Sequence, residues 1–333
     1  MLYEFLCSTM QPMKVPKWLV NSLKLLFTIL LLFLVFNSVD ISKISRDLKA
    51  LKLTSLILLL AVLWIGQLFC SERWRIFSAA LDMKASYRSF VKLYFAGMFF
   101  NIGLPSLIGG DVVKAYILSR RVGAPLQIGF ASVLQDRIAG LISLLLYGSA
   151  AIVFAPISWR GFPLWIAYVI CWAATAAGLA LISIGEVLYG KYIVDHSRTL
   201  GQRILKAIAE FHQALGMSRL KAGAVLRIAL FSLINSALVL WVFQQVTVAA
   251  GRPVGILPFF ALFPLVTLVT MLPVTLSGLG LREFVYVEAL SLVGIPREQG
   301  LVISLATSAL FVLCNLGGIF FLPGIPKELR ARE

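Results

Sequence analysis

Asp111 and Lys114 stand three residues apart, directly after Gly109-Gly110, in an otherwise apolar stretch. That spacing brings an acid and a base onto one face of a helix. Arg137 follows in Gln135-Asp136-Arg137, where another apolar run begins, and a second stretch offers Arg282, Glu283 and Glu288 beyond Gly278-Leu279-Gly280. Ionisable side chains in so apolar a setting are expensive to bury and mark substrate or ion sites by default. Their bland alternative is a structural ion pair, in which Asp111 and Lys114 simply neutralise each other.

The glycines admit two chemistries. They turn the backbone sharply and leave amides unpaired at a helix start, where the positive end of the helix dipole can receive a phosphate or other anion. Asp111 and Glu283, close to those starts, could instead cap the helices themselves. A cationic substrate or a lipid amine suits the acids, whereas a phosphate suits Lys114, Arg137 and Arg282. The candidate substrate-binding set is Asn101, Pro105, Gly109, Gly110, Asp111, Lys114, Arg137, Pro273, Ser277, Gly278, Arg282 and Glu283, with Arg73 and Arg75 placed at the headgroup or cytoplasmic face. No catalytic residue, metal ligand or cofactor is assigned. Cys7, Cys70, Cys171 and Cys314 have no paired spacing and read as packing residues, and the two histidines, His196 and His212, share one polar segment.

The elements that must position these residues are read from hydropathy. Hydrophobic residues fill 60% of the 333 positions and charged ones 14%, against roughly 45–50% and 25% in a globular domain. A bilayer must therefore solvate most of the chain. Six apolar stretches are long enough to cross about 30 Å of hydrocarbon: 18–38, 53–70, 130–155, 163–184, 226–249 and 299–322. The first carries no cleavage pattern and reads as a retained helix. Two more stretches, 90–121 and 256–292, are broken midway by Pro and Gly and then by charges. Irregular backbone at membrane depth survives only inside protein or beside a water-filled cavity, so both are expected to be re-entrant hairpins.

Leu104-Pro105 and Leu272-Pro273 lie 168 residues apart, and Pro156 and Pro323 lie 167 apart. This is a weak internal repeat, with halves 53–156 and 226–323 joined through 163–184 and segment 185–224. Net charge is +15, and the basic residues cluster between apolar runs, as positive-inside bias and anionic lipids require and as a nucleic-acid footprint does not. Placing basic segment 185–224 and both termini in the cytoplasm puts the two hairpins on opposite faces, an inverted repeat of the kind found in secondary transporters. Loop 39–52, with Lys43, Arg46, Lys49 and Lys52, is discordant with that placement. Within 185–224, Ile204, Leu205, Ile208, Phe211 and Leu215 follow helical spacing, as in an amphipathic helix on the cytoplasmic leaflet. The expected class is an all-α polytopic membrane protein with about six full spans and two re-entrant hairpins, located in the cell membrane.

Ser71-Glu72-Arg73-Trp74-Arg75, Gly97 to Asn101, Leu104-Pro105, Gly109-Gly110-Asp111 with Lys114, Gln135-Asp136-Arg137 and Gly140 together resemble the lysylphosphatidylglycerol synthase transmembrane (flippase-like) family. Leu272-Pro273 through Ser277-Gly278, Gly280 and Arg282-Glu283 match in the second half. The resemblance covers nearly the whole chain and implies a single flippase-like domain over 1–333 that moves a polar-headgroup lipid between leaflets. The lipid would be of aminoacyl-phospholipid or polyprenyl-phosphate type. With eleven residues after the last span, a stand-alone member without the soluble aminoacyltransferase domain is expected. One departure is that Ser304 to Asn315 contains no Arg, which the family often has in its last span. Implied partners are membrane lipids, a second copy of the chain, or a lipid-modifying enzyme. The chain carries no Gly-x-x-x-x-Gly-Lys-Ser/Thr motif, so a gradient or substrate consumption would drive transport and the chain is not expected to be an enzyme. The competing readings are a transferase acting on a lipid phosphate and an accessory subunit.

Overall fold

The computed structural model describes residues 53–103, 109–192, 215, 220–271 and 280–324. The elements, in chain order, are α1 (Leu53–Ala80), α2 (Tyr87–Gly103), α3 (Gly109–Val122), α4 (Leu126–Phe154), β1 (Ser158–Trp159), β2 (Phe162–Pro163), α5 (Trp165–Tyr192), α6 (Ala222–Ala249), α7 (Ile256–Thr270), α8 (Leu281–Ser291) and α9 (Arg297–Leu316), the last continuing as a 3-10 helix, Gly317–Gly324. Five of these helices, α1, α4, α5, α6 and α9 with its extension, are long and apolar enough to span a bilayer. They coincide with five of the six expected spans; the sixth, 18–38, lies outside the described residues. The chain is therefore an all-α polytopic membrane protein.

Two boundaries differ from the hydropathy reading. Helix α1 does not stop at 70 but runs through Ser71-Glu72-Arg73-Trp74-Arg75, because Arg73 is buried and paired inside the bundle and not placed at a membrane surface. Between α4 and α5 the chain makes a small β-hairpin, with Ser158 opposite Pro163 and Trp159 opposite Phe162. Arg160 and Gly161 both have positive φ, 50° and 83°, the requirement of the tight hairpin turn. Of the proposed cytoplasmic segment 185–224, α5 accounts for the part up to Tyr192, and most of the remainder lies outside the described residues.

The broken stretches are each two short helices. At 1.5 Å per residue, α2, α3, α7 and α8 reach roughly 16–26 Å, too short to cross alone. Helices α2 and α3 fold back on each other: Asn101 meets Gly110, and Gly97 meets both Gly110 and Lys114. The tips, 104–108 and 272–279, lie outside the described residues. Only glycine permits the α2–α3 approach, since a Cβ on Gly110 would collide with the carbonyl oxygen of Gly97 and one on Gly97 would stand 2.5 Å from Lys114 Cγ.

The repeat is written most plainly in the turns. Asp82 (φ 60°) and Gly251 (φ 72°), 169 residues apart, end α1 and α6. One residue on, Met83 N–H donates to Ser78 O and Arg252 N–H to Thr247 O, each at 2.9 Å. After α3 and α8 the same holds 171 residues apart: Gly123 (φ 67°) and Gly294 (φ 81°) precede Ala124 N–H donating to Ser119 O (3.0 Å) and Ile295 N–H donating to Leu290 O (3.1 Å). Pro125 and Pro296 then cap α4 and α9. The register steps from 169 to 171 across the broken stretches.

Helices α1 and α6 pack closely against each other and run antiparallel. Moving along α1, Gly66 lies against Asn235, Phe69 against Phe231 (5.8 Å between rings) and Phe77 in a cluster with Ile228. Since they are the corresponding first spans of the two halves, the halves have inverted topology. The halves also interlock. Helix α7 packs on α4, with Tyr147 against Phe260 (5.9 Å), and α2 packs on α9 and its extension, with Phe95 against Phe321 (4.8 Å). Outside this core, α5 turns Trp165, Val169, Ile170 and Leu181 outward, as a lipid-facing span would.

Glycine substitutions separate close packing from propensity. Gly110→Ala is expected to destabilise the fold by about 1–3 kcal/mol through overpacking. Gly178→Ala, in α5 with nothing within 4 Å of the added Cβ, should be neutral or stabilising by up to about 1 kcal/mol. Thermal melts of the two detergent-solubilised variants check this; a Gly110→Ala melt equal to wild type would show that α2 and α3 do not touch there.

Candidate functional site

The first-half site is built on the start of α3. Asp111 is in its first turn and 6% exposed, and Lys114 is 3% exposed. Lys114 Nζ lies 2.8 Å from Asp111 Oδ1. From α4, Arg137 closes a two-point clamp, with Nε donating to Oδ2 at 2.8 Å and Nη2 to Oδ1 at 3.0 Å. Asp111 and Lys114 do pair, and Arg137 shares the same carboxylate, so the formal charges of the three groups sum to +1. Lys114 is further held over the rings of Tyr94 (4.2 Å) and Trp74 (5.5 Å), whose faces attract cations. The Arg137 side chain is 39% exposed, and its Nη1 donors are not taken by Asp111.

The glycine start of α3 does not present free amides to an anion in the way its sequence allowed. Gly110 N–H donates to Asn101 Oδ1 at 2.9 Å, so Asn101 acts as a cap delivered from α2. In the second half Glu283 is the cap, accepting from Gly280 N–H at 2.7 Å. Self-capping by the acid is thus observed for Glu283 but not for Asp111, whose helix start is capped by Asn101 instead.

A second ion pair underlies the triad. Arg73 Nε donates to Asp136 Oδ1 at 2.6 Å and Arg73 Nη1 to Ser232 Oγ at 3.1 Å, with side chains 4% and 1% exposed for Arg73 and Asp136. It ties α1, α4 and α6 together, and Gly140 leaves room beside the guanidinium. Trp74 Nε1 donates to Ser132 Oγ in the same layer (3.1 Å). The expectation that Arg73 faces a headgroup or the cytoplasm is corrected: a guanidinium this deep is stable only because Asp136 and Ser232 satisfy it. Arg75, half-buried, pairs with Glu72 on its own helix (Nη2–Oε1 2.5 Å).

In the second half Glu283 is 4% exposed. Arg282 Nε stands 3.3 Å from its Oε1, and Ser308 Oγ, which donates to Ser304 O at 2.7 Å, lies 3.4 Å from the same oxygen. Glu288, at the far end of α8, pairs with Arg297. Pro105, Pro273, Ser277 and Gly278 lie outside the described residues. Sequence reasoning missed the tertiary partners: the Arg73–Asp136 pair, the Tyr94–Trp74 cradle and the Ser304, Thr307 and Ser308 face of α9. A signal for the last existed in the repeat register, because Arg137 and Ser308 are 171 residues apart.

Comparison with known proteins gives the family. The chain belongs to the family described as the lysylphosphatidylglycerol synthase TM region, whose profile matches residues 21–317. It is similar to a UPF0104 membrane protein of Methanocaldococcus jannaschii, 22% identical over 97% of this chain and 99% of that protein. A UPF0104 membrane protein of Methanothermobacter thermautotrophicus is 25% identical over 67% of this chain and 71% of its own length.

Removing one member of a buried pair strands the other, at a cost of about 3–5 kcal/mol, whereas replacing both with apolar residues is often neutral. Arg73→Met is expected to lower expression and melting temperature sharply, and Arg73→Met/Asp136→Leu to regain most of the loss. Melting of the purified single and double variants measures this, and a double variant as unstable as the single would contradict the pairing.

Proposed function

We propose, taking membership of this family as the premise, that the protein moves a lipid with an anionic headgroup between membrane leaflets. The observation that carries this reading is the net positive triad of Asp111, Lys114 and Arg137. A permanent charge of +1 in an apolar bundle attracts one anion. Arg137 supplies the exposed end of that charge, and an arginine with free forked donors suits a phosphate oxygen. Asp111 holds both cations in place without cancelling them. Anionic phospholipid, aminoacylated phospholipid and polyprenyl-phosphate lipids share that phosphate chemistry, and the tails would stay in lipid while the headgroup passes.

The inverted repeat supports alternating exposure, the movement such folds use. The interlocking of the halves refines what would rock. Helix α7 moves with α4 and helix α2 with α9, so each moving body takes one hairpin arm from the other half. In this reading both termini are cytoplasmic, on the strength of Lys14 and Lys17 at one end and Lys327, Arg330 and Arg332 at the other. The chain acts as a transporter and not as a transferase, and a lipid-modifying enzyme would make or use its substrate.

The test is reconstitution into liposomes with fluorescent analogues of the three lipid classes, following leaflet exchange. Arg137→Gln should reduce exchange at least tenfold while lowering the melting temperature by only a few degrees, since Lys114 still pairs with Asp111. Unchanged exchange in Arg137→Gln would remove the triad from the path. No exchange of any class, together with chemical turnover of a lipid-linked substrate, would replace transport with the transferase reading.

A further inference from the structure

The repeat register lets the two halves be compared position by position, and the comparison exposes an asymmetry. Asp111 and Glu283 are 172 residues apart, Lys114 and Tyr286 also 172, and Arg137 and Ser308 171. The surroundings correspond as well. Tyr94, whose ring carries Lys114, lies 169 residues before Phe263, whose ring lies 5.9 Å from Tyr286. Gly129 lets α4 close on Ala115 of α3, and Gly300, 171 residues later, lets α9 close on Val287 of α8. A buried acid therefore stands in the first turn of α3 and in the first turn of α8. In the first half two ammonium and guanidinium groups reach it at 2.8 Å. In the second, one arginine reaches it at 3.3 Å, and Tyr286 and Ser308 stand at the sequence spacings of the two cations.

Three hydroxyls on α8 and α9 have no hydrogen-bond partner among the described residues. Ser304 Oγ, Thr307 Oγ1 and Tyr286 OH are buried without a hydrogen-bond partner, in residues 0%, 4% and 4% exposed. Tyr286 OH and Thr307 Oγ1 face each other. Ser304, Thr307 and Ser308 share one face of α9 by their i, i+3, i+4 spacing, and Ser308 points at Glu283 from that face. Glu283 and Tyr286, three apart, share the facing side of α8. Buried polar atoms left unsatisfied are costly, and three such oxygens on the two helices that also carry Glu283 and Ser308 point to a ligand that takes oxygen donors.

We propose that Glu283, Tyr286, Ser304, Thr307 and Ser308 form a sodium site. The ligands are hard oxygens, which select a hard cation over a transition metal. One carboxylate already shared with Arg282 offers too little negative charge for a divalent ion, so a monovalent ion fits. The ion supplies in the second half, reversibly, the positive charge that Lys114 and Arg137 supply permanently in the first. This inference rests on the transporter reading for its purpose, since sodium would then couple headgroup movement to an ion gradient, but its test does not depend on transport.

Melting of the detergent-solubilised protein is followed in NaCl, KCl and choline chloride at equal ionic strength. Sodium alone is expected to raise the melting temperature by several degrees with a saturable midpoint. Tyr286→Phe, Thr307→Val and Ser304→Ala should each shift that midpoint at least tenfold upward, while Arg137→Gln leaves it in place. An unliganded Ser304 hydroxyl would behave oppositely, with Ser304→Ala raising stability equally in all three salts; that result overturns the site. A wild-type shift of the same size in potassium or choline also overturns it. Sodium-dependent melting without lipid exchange in liposomes sustains the site and removes the flippase reading, whereas exchange indifferent to sodium, with no melting shift, removes the site alone.

Discussion

A carboxylate inside a membrane protein has to be matched in charge, and around Asp111 the matching is done by groups from two helices. Lys114 comes from the same turn and Arg137 from α4, so the pairing that stabilises the acid also docks α3 against α4. Lys114 could not reach its place with a bulkier neighbour, which is why the α2–α3 contact is made through Gly97 and Gly110. Its ammonium is then covered by the rings of Tyr94 and Trp74 on α2 and α1. A single electrostatic requirement thereby fixes the relative position of four helices, and the surplus positive charge is what remains available for a ligand.

The Arg73–Asp136 pair works differently although it lies in the same layer. It is one-to-one, almost wholly enclosed and supplemented by Ser232, so it contributes registry between α1, α4 and α6 and leaves no charge over. The contrast explains why two neighbouring ion clusters made from the same residue types have separate roles. Overcompensated groups recruit something from outside; balanced groups hold the frame.

The long apolar helices were legible in sequence because hydropathy over twenty residues is set by the solvent and not by the fold. The hairpins were legible for a related reason, since Pro, Gly and charge interrupt a run only where protein or water satisfies the backbone. Asp111, Lys114 and Arg137 stood out as charges in an apolar setting, and they do meet. What the pattern could not reveal was the state of each charge. Arg73 looked like an end-of-span arginine because Asp136, 63 residues away, is invisible to any local window. Likewise nothing local to Gly110 announced that its amide is capped by Asn101 from the preceding helix. Serines 304 and 308 passed as ordinary residues of an apolar helix, and only the repeat register assigns them a counterpart.

The interlocked hairpins also dictate an order of assembly. Helix α2 finds a principal neighbour in the segment around Phe321, more than two hundred residues further along the chain. During synthesis the first hairpin must therefore enter the membrane with one flank bare, held by its own glycine contact and its ion pairs until the last span arrives. Long-range closures of this kind are slow. They also make the carboxyl-terminal span a wall of the amino-terminal half, so cutting the chain at its midpoint would yield two pieces that each lack a surface, not two half-sized copies of the fold.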